Sequence, residues 1–206
     1  MLKLFHAWGS CSLASLIALE EAGADYDLAV MDTAAGDQRR PDYLAVNPKG
    51  RVPALVTDRG ILTETPAILA FIAQSYPQAN LAPLGDPFAF ARAQAFNSYL
   101  CSTVHVAHAH KHRGHRWTDD PMAQAAMTAA VPKNEIACFR LIEAEMLRGP
   151  WVLGEAYSVC DGYLFTVGGW LAGDGVDIGQ FPKVAAHAER VAARPAVRKV
   201  LARRAA

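Results

Sequence analysis

Cys11 stands in Trp8-Gly-Ser-Cys-Ser-Leu, between an apolar run at Leu2–Phe5 and a helical pattern that begins at Ser12. A thiol at such a junction meets backbone N–H groups and the positive end of a helix dipole, both of which favour thiolate. Burial as a small inert hydrophobe fits the same position, and the local sequence leaves both readings open. Ser10 and Ser12 flank it with hydroxyls that can stabilise a neighbouring sulfur anion. A second stretch, Asn47-Pro-Lys-Gly-Arg-Val-Pro-Ala-Leu, leads into a hairpin. Pro53 at the head of a strand is compatible with a sheet edge or with a cis bond. A cis bond would turn the N–H and C=O of Val52 outward to pair with a peptide as an added strand. An ordinary turn proline is the plainer reading. Glu64-Thr65 opens the next helix: a hydroxyl and free N–H groups there can hold a carboxylate, and the acid beside them an ammonium. Together they suit the α-carbon head of an amino acid, although plain helix capping accounts for them as well.

Two further motifs carry less chemistry. Ser158-Val-Cys-Asp161 has the spacing of a capping box, with Tyr157 placed as its staple residue, and reads as a folding element. Five of the seven histidines fall between His105 and His115. His108 and His112 have the i, i+4 spacing of a helical chelate, but no glutamate completes a HExxH motif and no cysteine lies at ligand spacing. No metal site is expected.

These groups must be positioned by elements that the pattern defines. Leu2–Phe5 and Tyr26–Met31 read as strands on either side of a helix over Ser12–Gly23, which implies parallel pairing. After a long connection, Val52–Thr57 and Ile61–Thr63 flank Asp58-Arg-Gly as a hairpin, and Glu64–Tyr76 is a helix with Pro66 in its first turn. Three prolines between Pro77 and Pro87 mark a linker. Beyond it Phe88–His112, Ala123–Leu147, Ser158–Leu171, Phe181–Arg194 and Ala196–Arg204 carry helical patterns, with no convincing strand. The expected fold class is α+β: a small mixed sheet with helices over residues 1–80, then an all-helical bundle over 87–206.

Composition narrows the function classes. The 206 residues are 52% hydrophobic and 19% charged, too apolar for a disordered chain. Twenty Lys and Arg balance twenty Asp and Glu, so no global field favours nucleic acid or an anionic membrane. No apolar run reaches the ~18 residues of a spanning helix. Four scattered cysteines form no CxxC pair and no disulfide framework, so the expected setting is cytoplasmic with reduced thiols.

Taken together, Gly9-Ser-Cys-Ser-Leu-Ala, the Asn47–Leu55 stretch, Leu62-Thr-Glu-Thr-Pro-Ala-Ile and Ser158-Val-Cys-Asp-Gly-Tyr-Leu-Phe resemble, in this order, the cytosolic glutathione transferases, the bacterial beta class most of all. The resemblance covers nearly the whole chain. It implies a thioredoxin-like N-terminal domain, an all-helical C-terminal domain, a homodimer, and glutathione as co-substrate with no other cofactor. It implies a cis Pro53, with the backbone of Val52 on the cysteinyl part of glutathione and Glu64 and Thr65 on its γ-glutamyl head. Cys11 matches the class cysteine beside the glutathione sulfur, and His105 a site-facing histidine on the first long C-terminal helix. Ser98, Ser102, Thr103 and Val104 lie in the same helical stretch and are carried over as glutathione-binding positions. Asp161 matches the helix-capping aspartate. The implied activity is conjugation of the glutathione thiol to a small hydrophobic electrophile, with Cys11, His105 and Ser10 as the catalytic set. A disulfide reductase or peroxidase working through Cys11, or a non-catalytic binding protein, are the alternatives. His6, Trp8 and Trp117 are candidate walls for the electrophile. The chain departs from the family at Trp8, Thr65, Ser98, Thr103 and Gly162, and its Thr33–Asp37 loop lacks the lysine that relatives place on the glycine carboxylate, with Arg39 and Arg40 following.

Overall fold

A computed structural model describes residues 1–204, so the last two residues of the expected 87–206 unit lie outside the described part. The first third is a four-stranded sheet of order β2-β1-β3-β4, built from β1 (Leu2–His6), β2 (Tyr26–Val30), β3 (Ala54–Thr57) and β4 (Gly60–Thr63). β1 and β2 run parallel around the crossover helix α1 (Ser12–Glu21), while β1–β3 and β3–β4 are antiparallel. The mixed sheet of the α+β reading is therefore present. Leu16, Ile17 and Leu19 of α1 are buried together with Ile68, Leu69 and Ile72 of a later helix, α3 (Thr65–Ser75). The long connection hides a short helix, α2 (Pro41–Val46), that the sequence pattern did not predict. Its Tyr43 packs on Phe5 of β1 and donates to the carbonyl of Arg51.

The remainder is helical: α4 (Pro87–Tyr99), α5 (His105–Arg113), α6 (Pro121–Leu141), α7 (Val159–Gly168), α8 (Pro182–Ala192) and α9 (Pro195–Ala202). Several helices begin at proline, where the missing N–H is one of the four with no intrahelical partner. Asp86 and Asp120 cap α4 and α6 by accepting first-turn N–H bonds. The single helix expected over Phe88–His112 is interrupted by a π turn at Leu100–Val104, and that over Ala123–Leu147 ends in another at Ile142–Met146.

The capping box at α7 is present, and Asp161 carries more than the cap. Its carboxylate accepts from the backbone N–H and hydroxyl of Ser158, from the N–H of Val152 and from His187 Nε2 of α8. The Pro77–Pro87 stretch is docked rather than free: Leu81 is buried, and its carbonyl accepts from the Val159 N–H at the head of α7. One hydrophobic core runs from Leu4 and α1 through α4 and α7 to α9, so sheet and bundle share an interior. Among the described residues no helix is long and apolar enough to cross a membrane.

Candidate active site

Where the C-terminal ends of β1 and α5 face the loop before β3, a cleft of about 540 Å³ opens. Ser10, Cys11, Val52, Pro53, Glu64, Thr65 and His105 line it. Four separate element junctions thus converge on one space.

The loop before β3 forms the edge on which a peptide could lie. The Val52–Pro53 bond is cis. Residue 51 is anchored from behind, since the Arg51 carbonyl accepts 2.6 Å bonds from both the Tyr43 hydroxyl and Asn47 Nδ2. Asn47 is itself buried and takes the Lys49 N–H on its Oδ1, which folds the turn. Opposite this edge, Cys11 Sγ lies 3.7 Å from the Val52 carbonyl, as a thiol donor to it.

Burial decides the state of Cys11. It is 8% exposed, and burial pushes its thiol above the usual value; the Thr65 hydroxyl and the Arg113 charge only partly offset this. Of the two readings that the sequence leaves open for Cys11, the buried thiol is the one its surroundings favour. The amides of the first turn are already engaged: Leu13 N–H bonds the Ser10 carbonyl and Ala14 N–H that of Cys11. Desolvation wins over the dipole, which weakens where its donors are satisfied.

The two serines are bonded within the same turn. Ser10 Oγ sits 2.8 Å from the Ala7 carbonyl and 2.7 Å from Ser12 Oγ, so its single proton is held within the turn. Ser12 is buried and bonded to His6 Nδ1 at 2.7 Å, while accepting from the Ala7 N–H. His6 is fully buried, its pKa lowered to about 4 by desolvation, and it supports this turn rather than walling the cleft. Trp8 packs edge-on against His6 and is also absent from the lining, whereas Trp117 is part of it.

At the head of α3 two observations point to a ligand. Thr65 Oγ1 is buried with no hydrogen-bond partner beyond the neighbouring Cys11 thiol. Glu64 adopts φ 72° and ψ 122°, a conformation that costs a non-glycine residue about 1–3 kcal/mol and is found where function requires it. Its carboxylate reaches Lys49 Nζ, which also bonds Thr63 Oγ1.

α5 supplies the facing wall. His105 packs 5.0 Å from the Trp170 ring, and its Nε2 accepts from Arg113 Nη1 at 3.3 Å. Burial, then the Arg113 charge, lower its pKa to about 4, so it is a neutral imidazole at ordinary pH. His108 stacks on Trp170 and bonds Asp174 Oδ2 at 2.6 Å, and His110 packs on Trp117. The histidines therefore have separate partners, and among the described residues no group of three metal-ligating side chains converges.

Four expected positions are not brought to the cleft of the single chain. Ser98, Ser102 and Thr103 are exposed, with Ser102 Oγ donating to the Ser98 carbonyl, and Val104 is in the core. Helical geometry is the reason. Cys101 and His105, four residues apart, share the face toward the cleft, and residues 102–104 between them lie off it. The lining includes Arg39, noted after the lysine-free loop, and residues not named as site candidates: Arg51, Cys101, Arg113, Arg116, Tyr163 and Trp170. Arg51 and Tyr163 lay within recognised motifs and Arg113 at the end of the histidine run; Trp170 carried no local signal.

Residues 1–74 match the family profile described as glutathione S-transferase, N-terminal domain. The chain is 32% identical over 203 residues to glutathione S-transferase GstA of Escherichia coli, covering 97% of each. It is 30% identical to maleylacetoacetate isomerase of Pseudomonas aeruginosa, covering 89% of this chain and 87% of that one. Among solved structures, a glutathione transferase homologue from Sulfitobacter with bound glutathione superposes with a TM-score of 0.95 at 46% identity, over 98% of both chains. A beta class glutathione S-transferase of Sphingomonas chungbukensis superposes at 0.85 with 36% identity, again over 98% of both.

Proposed function

The chain belongs to the glutathione S-transferase family, and from that premise we propose that it is a beta class enzyme joining the glutathione thiol to a small electrophile. The observation that carries this reading is the buried Thr65 hydroxyl at the head of α3, beside Glu64, with no partner beyond the neighbouring Cys11 thiol. A γ-glutamyl carboxylate is the partner that hydroxyl lacks, and Glu64 is the counter-ion for the adjacent ammonium. The cysteinyl backbone then pairs with Val52 as an added strand. This directs the glutathione sulfur toward Cys11.

In the reaction the glutathione sulfur, as thiolate, attacks the electrophilic carbon. A C–S bond forms, and the leaving group departs with the bonding pair. A glutathione thiol is mostly protonated at neutral pH, so the site must favour its anion. Cys11, held as a thiol, turns its S–H from the Val52 carbonyl to the incoming sulfur and donates to it. His105 is neutral, and Arg113 beside it supplies positive charge to that side of the cleft. Reductase chemistry needs Cys11 itself as thiolate, which its burial disfavours.

The remaining assignments belong to the same reading: a homodimer, a cytoplasmic detoxification role, no cofactor beyond glutathione, and units at 1–80 and 87–206. Retention on immobilised glutathione, followed by turnover of chlorodinitrobenzene and of a small disulfide, tests it. Thr65→Val keeps the shape and removes the hydroxyl. It is expected to raise the KM for glutathione about tenfold, the loss of one hydrogen bond to a charged group, with the melting temperature kept. Unaltered glutathione affinity in Thr65→Val would place the peptide elsewhere.

A further inference from the structure

The cleft is far more basic than glutathione requires. Arg39, Arg51, Arg113 and Arg116 all line it, together with His115, and Glu64 is its single lining carboxylate among the described residues. Glu64 is already paired with Lys49. Among the described residues none of the four arginines has an ion-pair partner: the chain's salt bridges lie elsewhere, at Arg40, Lys49, His108, Lys111, His187, Arg194, Lys199 and Arg203. Arg113 is half-buried, and its side chain bonds only the neutral His105. Arg116 feels the other three: after partial burial, the charges of Arg51, Arg113 and Arg39 each lower its pKa. Like charges gathered without counter-ions are unfavourable until an anion joins them.

Charge counting separates two anions. Glutathione brings one net negative charge, and two once its thiol ionises. Its glycine carboxylate occupies one guanidinium, and the loop side of the cleft offers Arg39 and Arg51 for it. Arg113 and Arg116 come from the end of α5 and the turn that follows, and Trp117 and Trp170 line the same cleft. Indole rings lining the same cleft as two unpaired cations fit a flat apolar body carrying an acidic group.

Resting on the glutathione-transferase reading, we propose that the second substrate is an anionic electrophile, an aryl or alkenyl compound with a carboxylate or sulfonate held by Arg113 and Arg116. For an aryl chloride the balance is simple. The thiolate attacks the chlorine-bearing carbon, the C–S bond forms, chloride leaves with its electron pair, and the thiol proton has gone to solvent.

The test compares chlorodinitrobenzene with chlorodinitrobenzoate, each corrected for its uncatalysed rate with glutathione. The rate enhancement for the benzoate is expected to exceed that for the neutral compound. The excess should shrink as salt is raised, because screening weakens a partly exposed pair. Arg116→Gln should cut the benzoate-to-neutral ratio about tenfold, the loss of a charge-assisted contact, and Arg116→Lys should restore much of it. Arg39→Gln should instead raise the KM for glutathione and leave the ratio in place. Equilibrium binding of the two finished conjugates reads the same ratio without turnover. No charge preference in an enzyme that binds glutathione overturns this proposal alone, as does an Arg116→Gln variant that weakens glutathione with the ratio intact. Failure to bind glutathione at all overturns the parent reading instead.

Discussion

Glu64 shows how one residue reports on a site through its backbone. Its positive φ places a β-substituted residue where glycine would be relaxed. Glu64→Gly should therefore gain roughly 1 kcal/mol of stability by relieving the strain, while the exposed bond to Lys49 that it loses is worth little. The same variant should lose affinity for glutathione, because the counter-ion to the γ-glutamyl ammonium is gone. A melting temperature that falls, or glutathione affinity that holds, would contradict a strained residue kept for binding. Cys11 makes a second prediction with a definite sign. Burial raises its thiol above the unperturbed 9.0, so alkylation of Cys11, followed peptide by peptide, should be slow at neutral pH. It should still climb where a free thiol has levelled off. A rate that plateaus below 9.0 would restore the thiolate and with it the reductase reading. His105, neutral down to about 4, should add no inflection of its own to the conjugation profile above that value.

Between the elements, α1 joins the sheet to the bundle at its C-terminal end. Glu21 takes a two-pronged contact from Arg194 Nε and Nη2, and the Arg194 guanidinium lies 3.7 Å over the Tyr157 ring. Glu20 meets Lys199 and Arg203 of the α9 end, and the Tyr26 hydroxyl donates to it from β2. Bidentate, partly buried pairs exceed the usual surface pair, so a double-mutant cycle of Glu21→Gln and Arg194→Met should give a coupling of about 1–3 kcal/mol. Coupling near zero would leave the apolar core alone to hold the halves together. Much of this architecture was legible because its elements are long enough to show a period: the β1–α1–β2 unit, the hairpin, α3 and the capping box at Ser158. α2 was not, since six residues make fewer than two turns, and its purpose, placing Tyr43 on Phe5 and Arg51, is tertiary. The π turn at Leu100–Val104 was equally invisible. Ser102, Thr103 and Val104 are expected at the site only because the family resemblance covers the whole stretch, and three consecutive helical residues cannot share the face that Cys101 and His105 present to the cleft. Site residues at element junctions, Cys11, Val52, Glu64 and Thr65, could be found from local pattern. Arg113 and Arg116 could not, because they reach the cleft only through the close approach of α5 to α6 at Gly114, where a Cβ would sit 3.2 Å from Gln124 Cγ.

Over the whole molecule, buried titratable groups of opposite type set a stability optimum. His6 and His105 accept protons in the fold only near about 4, against 6.5 for a free histidine, and His108 is lowered as well. Between those values the unfolded chain holds more protons than the folded one, so stability falls as pH drops below 6.5. Glu135 acts in the other sense. It is buried on α6 with Oε1 unpartnered, and desolvation, then the Asp174 charge, hold it protonated up to about 8 against 4.5 for a free glutamate. Between 4.5 and 8 the folded state holds the extra proton, and stability falls as pH rises. Below 6.5 the histidines outweigh this one carboxyl; above 6.5 they are neutral in both states and the carboxyl acts alone. Each fully shifted group contributes a slope of about 1.4 kcal/mol per pH unit. The melting temperature should therefore peak near 6.5 and decline on both sides. Glu135→Gln, neutral at every pH and nearly the same shape, should flatten the decline between 6.5 and 8 while leaving the acid limb steep. A wild-type melting temperature still rising at pH 8, or an alkaline decline that survives in Glu135→Gln, would show that the buried carboxyl ionises at no cost to the fold.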